Sequence, residues 1–181
     1  EKCEKYIQLR AEIEELVGRL NGTFSTLTWS PVLYLYRSLT SAETVGLYSG
    51  ADVGLVIPFR DGMNLVGKEF VACHSGSAGV LVLSRMAGCA KELIEAVLVN
   101  PADVSDVAAG LGRALAMPME EQIARNRAMA KRLKRNDIGQ WATRFIEKLA
   151  EVKLEQRAHA VHPLDTASLE EIASAFTHSD S

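Results

Sequence analysis

The segment with the clearest chemical potential is a polar turn that starts at Asp61 and opens onto a predicted helix. An apolar run over residues 53–57 ends at Pro58, and apolar residues return at helical spacing from residue 63 to 73. The first amides of a helix lack intrahelical partners, and its N-terminus carries about half a positive charge. The pattern therefore predicts a diphosphate site formed by the backbone amides of Met63, Asn64, Leu65 and Val66.

Two carboxylates flank this predicted anion site. Asp61 lies where it could accept hydrogen bonds from sugar hydroxyls, and Glu69, about two turns into the helix, is placed to reach ribose hydroxyls. Gly62 would permit the turn and a close approach of the ligand to the backbone. Spacing alone leaves an alternative open, in which Asp61 only caps the helix and Glu69 is a solvated surface residue.

Three other polar stretches have weaker signals. Residues 84–90 follow a predicted buried strand and either line the same crevice or form a simple connection to the next element, which is the commoner case. Residues 100–103 are predicted to form a capped turn. The basic run over residues 131–135 ends a helix, where cations interact favourably with the helix dipole, so a solvated face is favoured over nucleic-acid binding.

The cysteine and histidine residues indicate neither a metal site nor a covalent nucleophile. Three cysteines occur without a CxxC pair, and the four histidines have no metal-ligand spacing. Cys73 and His74 are adjacent but lack an orienting third residue, so Cys73 is predicted to be a packed helix residue. An odd number of widely spaced cysteines favours a reducing cytoplasm.

Composition limits the classes of protein that the chain can belong to. Its 181 residues are 48% hydrophobic, enough for the core of one domain. The net charge of -3 excludes a global basic field that would gather nucleic acid or anionic lipid. No apolar run approaches the roughly 20 residues of a membrane helix, and no signal peptide is found. We therefore expect a soluble protein, and because the chain starts with Glu1 rather than Met, in a charged, helix-like stretch, we expect it to be a fragment of a longer one.

Hydrophobic periodicity predicts a chain of alternating strands and helices. The strands, which are short apolar runs, are predicted over residues 32–36, 53–57, 79–83 and 96–99. The helices are predicted over residues 4–20, 41–49, 63–73, 103–117, 119–133 and 138–158, with a weak one over 168–176. This order predicts a parallel α/β sheet with flanking helices over residues 1–158, followed by a polar tail or linker over 159–181. Ligands of such sheets bind beyond the carboxyl ends of the strands.

A resemblance to a known protein family adds to the predicted fold and the predicted anion site. Residues 55–72, LVIPFRDGMNLVGKEFVA, closely resemble the hallmark segment of trehalose-6-phosphate synthases. Shorter matches lie on both sides of it, in the order of the family, over residues 22–31, 79–88, 98–101 and 136–141, so that about residues 1–150 are covered.

The resemblance implies a Rossmann-like sheet from the C-terminal, donor-binding half of a two-domain glycosyltransferase of the GT-B type. The implied reaction moves glucose from UDP-glucose to glucose 6-phosphate with retention, giving trehalose 6-phosphate. It implies no cofactor, no metal and no enzymatic nucleophile, because front-face attack would use the donor phosphate to deprotonate the acceptor. The resemblance is compatible with a homo-oligomer.

The resemblance also implies a role for each matching residue. Asp61 would contact the glucosyl hydroxyls, and the Leu65 and Val66 amides would hold phosphate. Glu69 would bind ribose, and the backbone near Arg37 would lie by the uracil. The turn formed by Gly62, Met63 and Asn64 would face the sugar and phosphate.

Some features depart from the family pattern or lie outside the chain. Gly67 replaces the usual alanine, and His74 replaces a frequent glutamine. The basic residues that neutralise the leaving diphosphate, and the acceptor-binding residues, are expected upstream of Glu1, so the isolated chain is predicted to be inactive. Two alternatives remain open: a glucosylglycerol-phosphate synthase, or a synthase-like regulatory or binding module without activity.

Overall fold

The computed structural model describes residues 4–136, residues 138–158 and residue 170. The chain divides into two compact units, Glu1–Gly46 and Leu47–Ser181. The predicted tail over residues 159–181 and its weak helix over 168–176 lie outside the described residues, apart from the helical, exposed Glu170. The predicted boundary after residue 158 therefore stays a prediction.

The first unit begins with a long helix, α1 (Glu4–Phe24), which has no buried residue. The strand predicted over residues 32–36 is wrong, because this stretch has no strand structure and Leu33 is 81% exposed. A strand needs a neighbour that pairs with its backbone groups. Here a side chain takes that place: Asn21 Nδ2 donates to Val32 O over 3.0 Å, and Val32 N donates to Asn21 Oδ1 over 3.1 Å.

The second helix, α2 (Ser41–Gly50), spans the boundary between the units and agrees with its prediction. Its start is a capping box formed by Thr40 and Glu43. Thr40 N donates to Glu43 Oε2 over 2.8 Å, and Glu43 N donates to Thr40 Oγ1 over 3.3 Å. Two backbone amides at the helix start are thereby satisfied.

The second unit is built on a parallel sheet with strand order β1-β2-β3, which confirms the predicted parallel arrangement. The strands are β1 (Val53–Val56), β2 (Val80–Ser84) and β3 (Val97–Val99). The central strand β2 is buried throughout, as its continuous apolar run predicts. The apolar run of β1 also predicted a strand buried on both faces, and this prediction is wrong. Strand β1 lies at the edge of the sheet, and Leu55 is 46% exposed.

Helices cover both faces of this sheet. On one face, Leu81 and Leu83 of β2 pack in one cluster with residues of α3 (Leu65–Cys73) and α5 (Met119–Arg135). On the other, Val80 and Val82 pack with α4 (Val104–Leu115). Successive β2 side chains point to opposite faces, so one strand serves both cores.

The remaining elements follow sequence signals closely. Asp103 caps α4, because its Oδ1 accepts from Ser105 N over 2.9 Å and from Asp106 N over 3.2 Å. The last helix, α6 (Ile138–Ala158), has the predicted bounds. A short 3-10 turn, Gly88–Lys91, follows β2. No helix within residues 4–136 and 138–158 is long and apolar enough to cross a membrane.

Candidate functional site

The Asp61 turn lies just beyond the carboxyl end of β1, and the Asp61 carboxylate closes it. Asp61 Oδ1 accepts from Met63 N over 3.1 Å and from Asn64 N over 3.0 Å. Asp61 Oδ2 accepts from Asn64 Nδ2 over 2.9 Å. The capping role that the sequence left open is therefore present in this structure.

Asn64 connects this turn to the helix. Its backbone has a φ of 67°, in the left-handed region that asparagine tolerates better than most residues. Its Oδ1 accepts from Gly67 N over 2.8 Å, which makes Asn64 the N-cap and starts α3 at Leu65, two residues later than predicted. Asparagine directly before an apolar helical run is a local N-cap signal, and it would have predicted this helix start.

The Asp61 carboxylate is held in its charged form and keeps one acceptor position. The Asn64 side-chain amide, followed by the Met63 backbone amide, lowers the pKa of Asp61 below its usual range. A carboxylate offers about four lone-pair sites, and the turn occupies three of them. The remaining site, on Oδ2, can accept a hydrogen bond from a ligand hydroxyl.

Two of the four predicted anion-binding amides are already engaged. The amides of Met63 and Asn64 donate to Asp61. Within the described part of the chain, the amides of Leu65 and Val66 have no hydrogen-bond partner, and both residues are exposed. The helix end therefore presents two open donors in the first turn of α3, where the dipole favours an anion.

The predicted second candidate, residues 84–90, packs directly against the Asp61 turn. Gly88 N donates to Asp61 O over 2.9 Å, and Cys89 N donates to Met63 O over 2.8 Å. Asp61 also forms a parallel bridge with Ala87. Since Ala87 and Cys89 are buried, this segment anchors the turn to the core.

Two glycines meet at this contact, and only one needs to be glycine on steric grounds. A Cβ on Gly88 would lie 2.0 Å from Gly62 O, whereas a Cβ on Gly62 would have no neighbour within 4 Å. Gly79 is the only described glycine with a left-handed φ, so Gly62 does not turn the chain by that freedom, contrary to the prediction. Asn64 supplies the left-handed residue, and Gly88 supplies the close approach.

Glu69 lies on an exposed face of α3, where its side chain contacts Tyr48. Its Oε2 accepts from Tyr48 OH over 3.3 Å. Partial burial, followed by the negative charge of Glu69, raises the pKa of Tyr48. Contact of Glu69 with a ribose stays a prediction.

Arg37 belongs to the first unit, where its guanidinium is engaged. Arg37 Nη2 donates to Glu43 Oε1 over 2.8 Å. This bond, together with the bonds from Thr40, lowers the pKa of Glu43 to about 2. The structure thus brings Asp61, Asn64 and the open amides together in one unit and places Arg37 in the other.

A cavity of about 360 Å³ adjoins the turn. Lys68 Nζ lies 3.1 Å from Glu92 Oε2 in its wall, so the two charges offset each other locally. Trp141 also lines the cavity and stacks on Phe145 at a ring distance of 5.3 Å. The full lining consists of Met63, Leu65, Lys68, Glu92, Asn136, Trp141 and Arg144.

Among the described residues, the cysteines Cys73 and Cys89 and the histidine His74 form no second site. Cys73 and Cys89 are free thiols, and burial raises the pKa of Cys89. His74 is buried, stacks on Phe70 at 4.3 Å, and lies close to Gly79. In the described part, no group of three His, Cys, Asp or Glu side chains could hold a metal ion.

Strand, turn and helix together define a parallel Rossmann-like α/β unit whose candidate ligand turn lies at the carboxyl ends of its strands. The chain belongs to glycosyltransferase family 20, whose model matches residues 1–151. This confirms the family resemblance inferred from residues 55–72.

Individual relatives agree with this assignment. The chain is 43% identical over 173 residues to a bifunctional trehalose-6-phosphate synthase/phosphatase from Thermoproteus tenax, covering 94% of this chain and 24% of that protein. A UDP-forming α,α-trehalose-phosphate synthase from Burkholderia xenovorans, solved in complex with glucose 6-phosphate, superimposes with a TM-score of 0.78. It is 42% identical, over 82% of this chain and 33% of that one.

A third relative is an Escherichia coli protein solved with bound UDP-2-fluoro glucose. Its TM-score is 0.77 and its identity 43%, over 81% of this chain and 33% of that one. The neighbours confirm the predicted GT-B type fold with a parallel sheet and flanking helices. The chain spans about a quarter to a third of the length of these relatives.

Proposed function

We propose that the full-length polypeptide carrying this chain transfers glucose from UDP-glucose to glucose 6-phosphate with retention, forming trehalose 6-phosphate. In this proposal the chain supplies the donor-binding part of the active site. The observation that carries it is the Asp61 turn, with an ionised carboxylate beside the open amides of Leu65 and Val66. Relatives solved with glucose 6-phosphate and with UDP-2-fluoro glucose support the choice of substrates.

The turn can hold a sugar nucleotide through complementary charges. The Leu65 and Val66 amides donate to the diphosphate at the positive end of α3. The remaining lone pair of Asp61 accepts from a glucosyl hydroxyl, and Glu69 accepts from the ribose. Gly62, Met63 and Asn64 form the surface that faces sugar and phosphate, and the backbone near Arg37 lies by the uracil.

In the proposed reaction the acceptor attacks the face of the sugar from which the diphosphate leaves. The bond between the anomeric carbon and the diphosphate oxygen breaks, and a bond to the acceptor hydroxyl oxygen forms. The hydroxyl proton passes to the leaving diphosphate. We propose that the reaction uses no metal ion, no cofactor and no enzymatic nucleophile.

The cellular setting is proposed on more limited grounds. The free thiols of Cys73 and Cys89 support a reducing cytoplasm. A homo-oligomer remains part of the proposal, without a surface assigned to it.

The two departures from the family pattern lie at packing positions. A Cβ on Gly67 would make ordinary contacts, 3.4 Å from Asn64 Oδ1 and 3.5 Å from Leu83 Cδ1. His74 Nδ1 lies 3.0 Å from Phe70 O in the core. Because Gly67 adds no side chain to the site and His74 is buried in the core, these departures give little support to a glucosylglycerol-phosphate synthase or to a non-catalytic module.

Replacing Asp61 tests the proposed donor site. In the full-length protein, we expect Asp61→Ala to reduce transfer by about 100-fold or more, because the sugar loses a positioning contact. The readout is release of UDP, with trehalose 6-phosphate identified as the product. Asp103→Ala is the matched control, since Asp103 also caps a helix but lies in α4.

The outcomes separate the candidate functions. Unchanged transfer in Asp61→Ala would refute the site. A wild-type protein that binds UDP-glucose without turnover would be a binding module, and transfer to glycerol 3-phosphate in place of glucose 6-phosphate would indicate the glucosylglycerol-phosphate synthase.

The isolated 181-residue chain provides a separate prediction. We expect it to show no turnover of UDP-glucose and glucose 6-phosphate, because the groups proposed to complete the active site lie outside it. The same coupled UDP-release assay measures this, with the full-length protein as reference. Turnover by the isolated chain at the reference rate would contradict this prediction.

A further inference from the structure

A second concave surface, which we call the basic cleft, lies on α5 away from the Asp61 turn. It has a volume of about 350 Å³, within the usual range for small-molecule sites. Four cationic side chains and no carboxylate line it. The lining residues are Ser75, Arg127, Ala130, Lys131, Lys134 and Arg135.

The cleft cations differ from the other two cations of α5, Arg125 and Arg132, which form ion pairs with carboxylates. Arg132 forms a two-bond ion pair with Glu95, at 2.6 and 2.7 Å. Arg125 pairs with Glu121 at 2.7 Å and donates to Glu95 O. In the described part of the chain, no such partner is found for Arg127, Lys131, Lys134 or Arg135.

The helix dipole accounts for only part of this charge. Lys134 and Arg135 lie in the last turn of α5, where cations are favoured. Arg127 lies about two turns earlier, and it is four residues from Lys131, a spacing at which like charges repel. A bound anion would relieve this repulsion. The overall net charge of -3 shows that the cleft is a local concentration of positive charge.

The cleft is separate from the Asp61 turn. Ser75 lies two residues beyond the end of α3, and the open amides of Leu65 and Val66 are at the start of this helix. The nine residues of α3 correspond to about 13 Å along the helix axis. No residue that lines the cleft also lines the cavity beside the turn, so the two surfaces are distinct.

We propose that the basic cleft binds a small phosphorylated molecule that carries at least two negative charges. Arginine forks and lysine ammonium groups are the side chains that proteins use for phosphate, and four of them converge here. No aromatic side chain lines the cleft, so it lacks the stacking surfaces with which proteins hold single-stranded nucleic acid. The ligand is either a free polyphosphate or a sugar bisphosphate.

Isothermal titration of the full-length protein tests this proposal with two probes, pyrophosphate and fructose 1,6-bisphosphate. The cleft variant combines Lys131→Gln and Arg135→Gln. The control variant combines Arg113→Gln and Lys153→Gln, which remove the same charge from α4 and α6. We expect the Kd of at least one probe to rise about tenfold in the cleft variant and to stay unchanged in the control, because two cations near the ligand are lost.

Each outcome decides the proposal. The probe with the larger cleft-dependent change identifies the ligand source. The proposal is overturned if the wild type binds neither probe, or if the cleft variant binds both as the wild type does, since any binding would then lie outside the cleft. Equal losses in both variants would also overturn it, as would a single-stranded oligonucleotide that binds the cleft more tightly than either probe.

Discussion

The Asp61 turn and residues 25–40 of the first unit both lack regular secondary structure, but they are held in different ways. The turn receives backbone hydrogen bonds from Gly88 and Cys89, which belong to the connection after the next strand. Residues 25–40 are held by contacts between near neighbours, such as the side chain of Asn21 with Val32. The turn thus packs against buried residues, whereas residues 25–40 are largely exposed.

This difference explains which irregular segment is suited to hold a ligand. A site performs well when its residues are fixed by a rigid layer behind them. Ala87 and Cys89 supply that layer for the Asp61 turn. Changes behind the turn should therefore have large effects, and changes in the contacts around residues 25–40 should have small ones.

The largest effect is expected for Gly88→Ala. The new Cβ would overlap Gly62 O, so the turn or the Gly88–Lys91 segment must move. We expect the free energy of unfolding to fall by about 1–3 kcal/mol, the usual cost of overpacking. Urea titration of the full-length protein measures the change. Gly62→Ala is the control and should be nearly neutral; an equal loss in both variants would contradict the steric explanation.

A smaller effect is expected for Asn64→Ala. The change removes the N-cap of α3 and one hydrogen bond to Asp61, and it places alanine at a left-handed φ. We expect a loss of about 1–2 kcal/mol in the free energy of unfolding, measured in the same titration. Asn64→Gly tolerates the φ and should lose less. If both substitutions are equally costly, the backbone conformation is not the cause.

The smallest effect is expected when the pH is lowered until the Glu43 carboxylate, in the first unit, is protonated. Its pKa of about 2 lies below the ordinary 4.5, so its stabilising contribution is present above pH 4.5 and is lost as the pH falls from 4.5 towards 2. We expect faster amide exchange at Thr40 over that range, relative to the intrinsic rate, because Thr40 N loses its acceptor. In Glu43→Gln this pH dependence should be absent. Its persistence there would assign it to another group.

The parts of the fold that depend on local signals could be predicted from the sequence. Asp103 at the start of α4 is a local N-cap, and Asn136, which lies between the helices predicted over residues 119–133 and 138–158, is the C-cap of α5. The predicted strand at residues 32–36 failed because strand formation depends on a pairing neighbour, which composition does not reveal.

The residues of the candidate site could be predicted from the sequence, but the packing contacts that hold them in place could not. The helix end and Asp61 follow from residue order, whereas the need for glycine at position 88 depends on Gly62 approaching from another part of the chain. The alternative roles of Asp61 also could not be separated by spacing. Its oxygens cap the turn and still leave one acceptor site, so capping does not preclude a contact with ligand.

The edge position of β1 has a consequence for handling the protein. Within the described residues, β1 pairs with β2 on one side and has no strand on its other side. An unpaired strand edge offers a row of backbone donors and acceptors to other chains, which favours aggregation. Samples of this chain alone should therefore associate increasingly as their concentration rises, and a charged side chain in place of Leu55 would be a direct way to keep them dispersed.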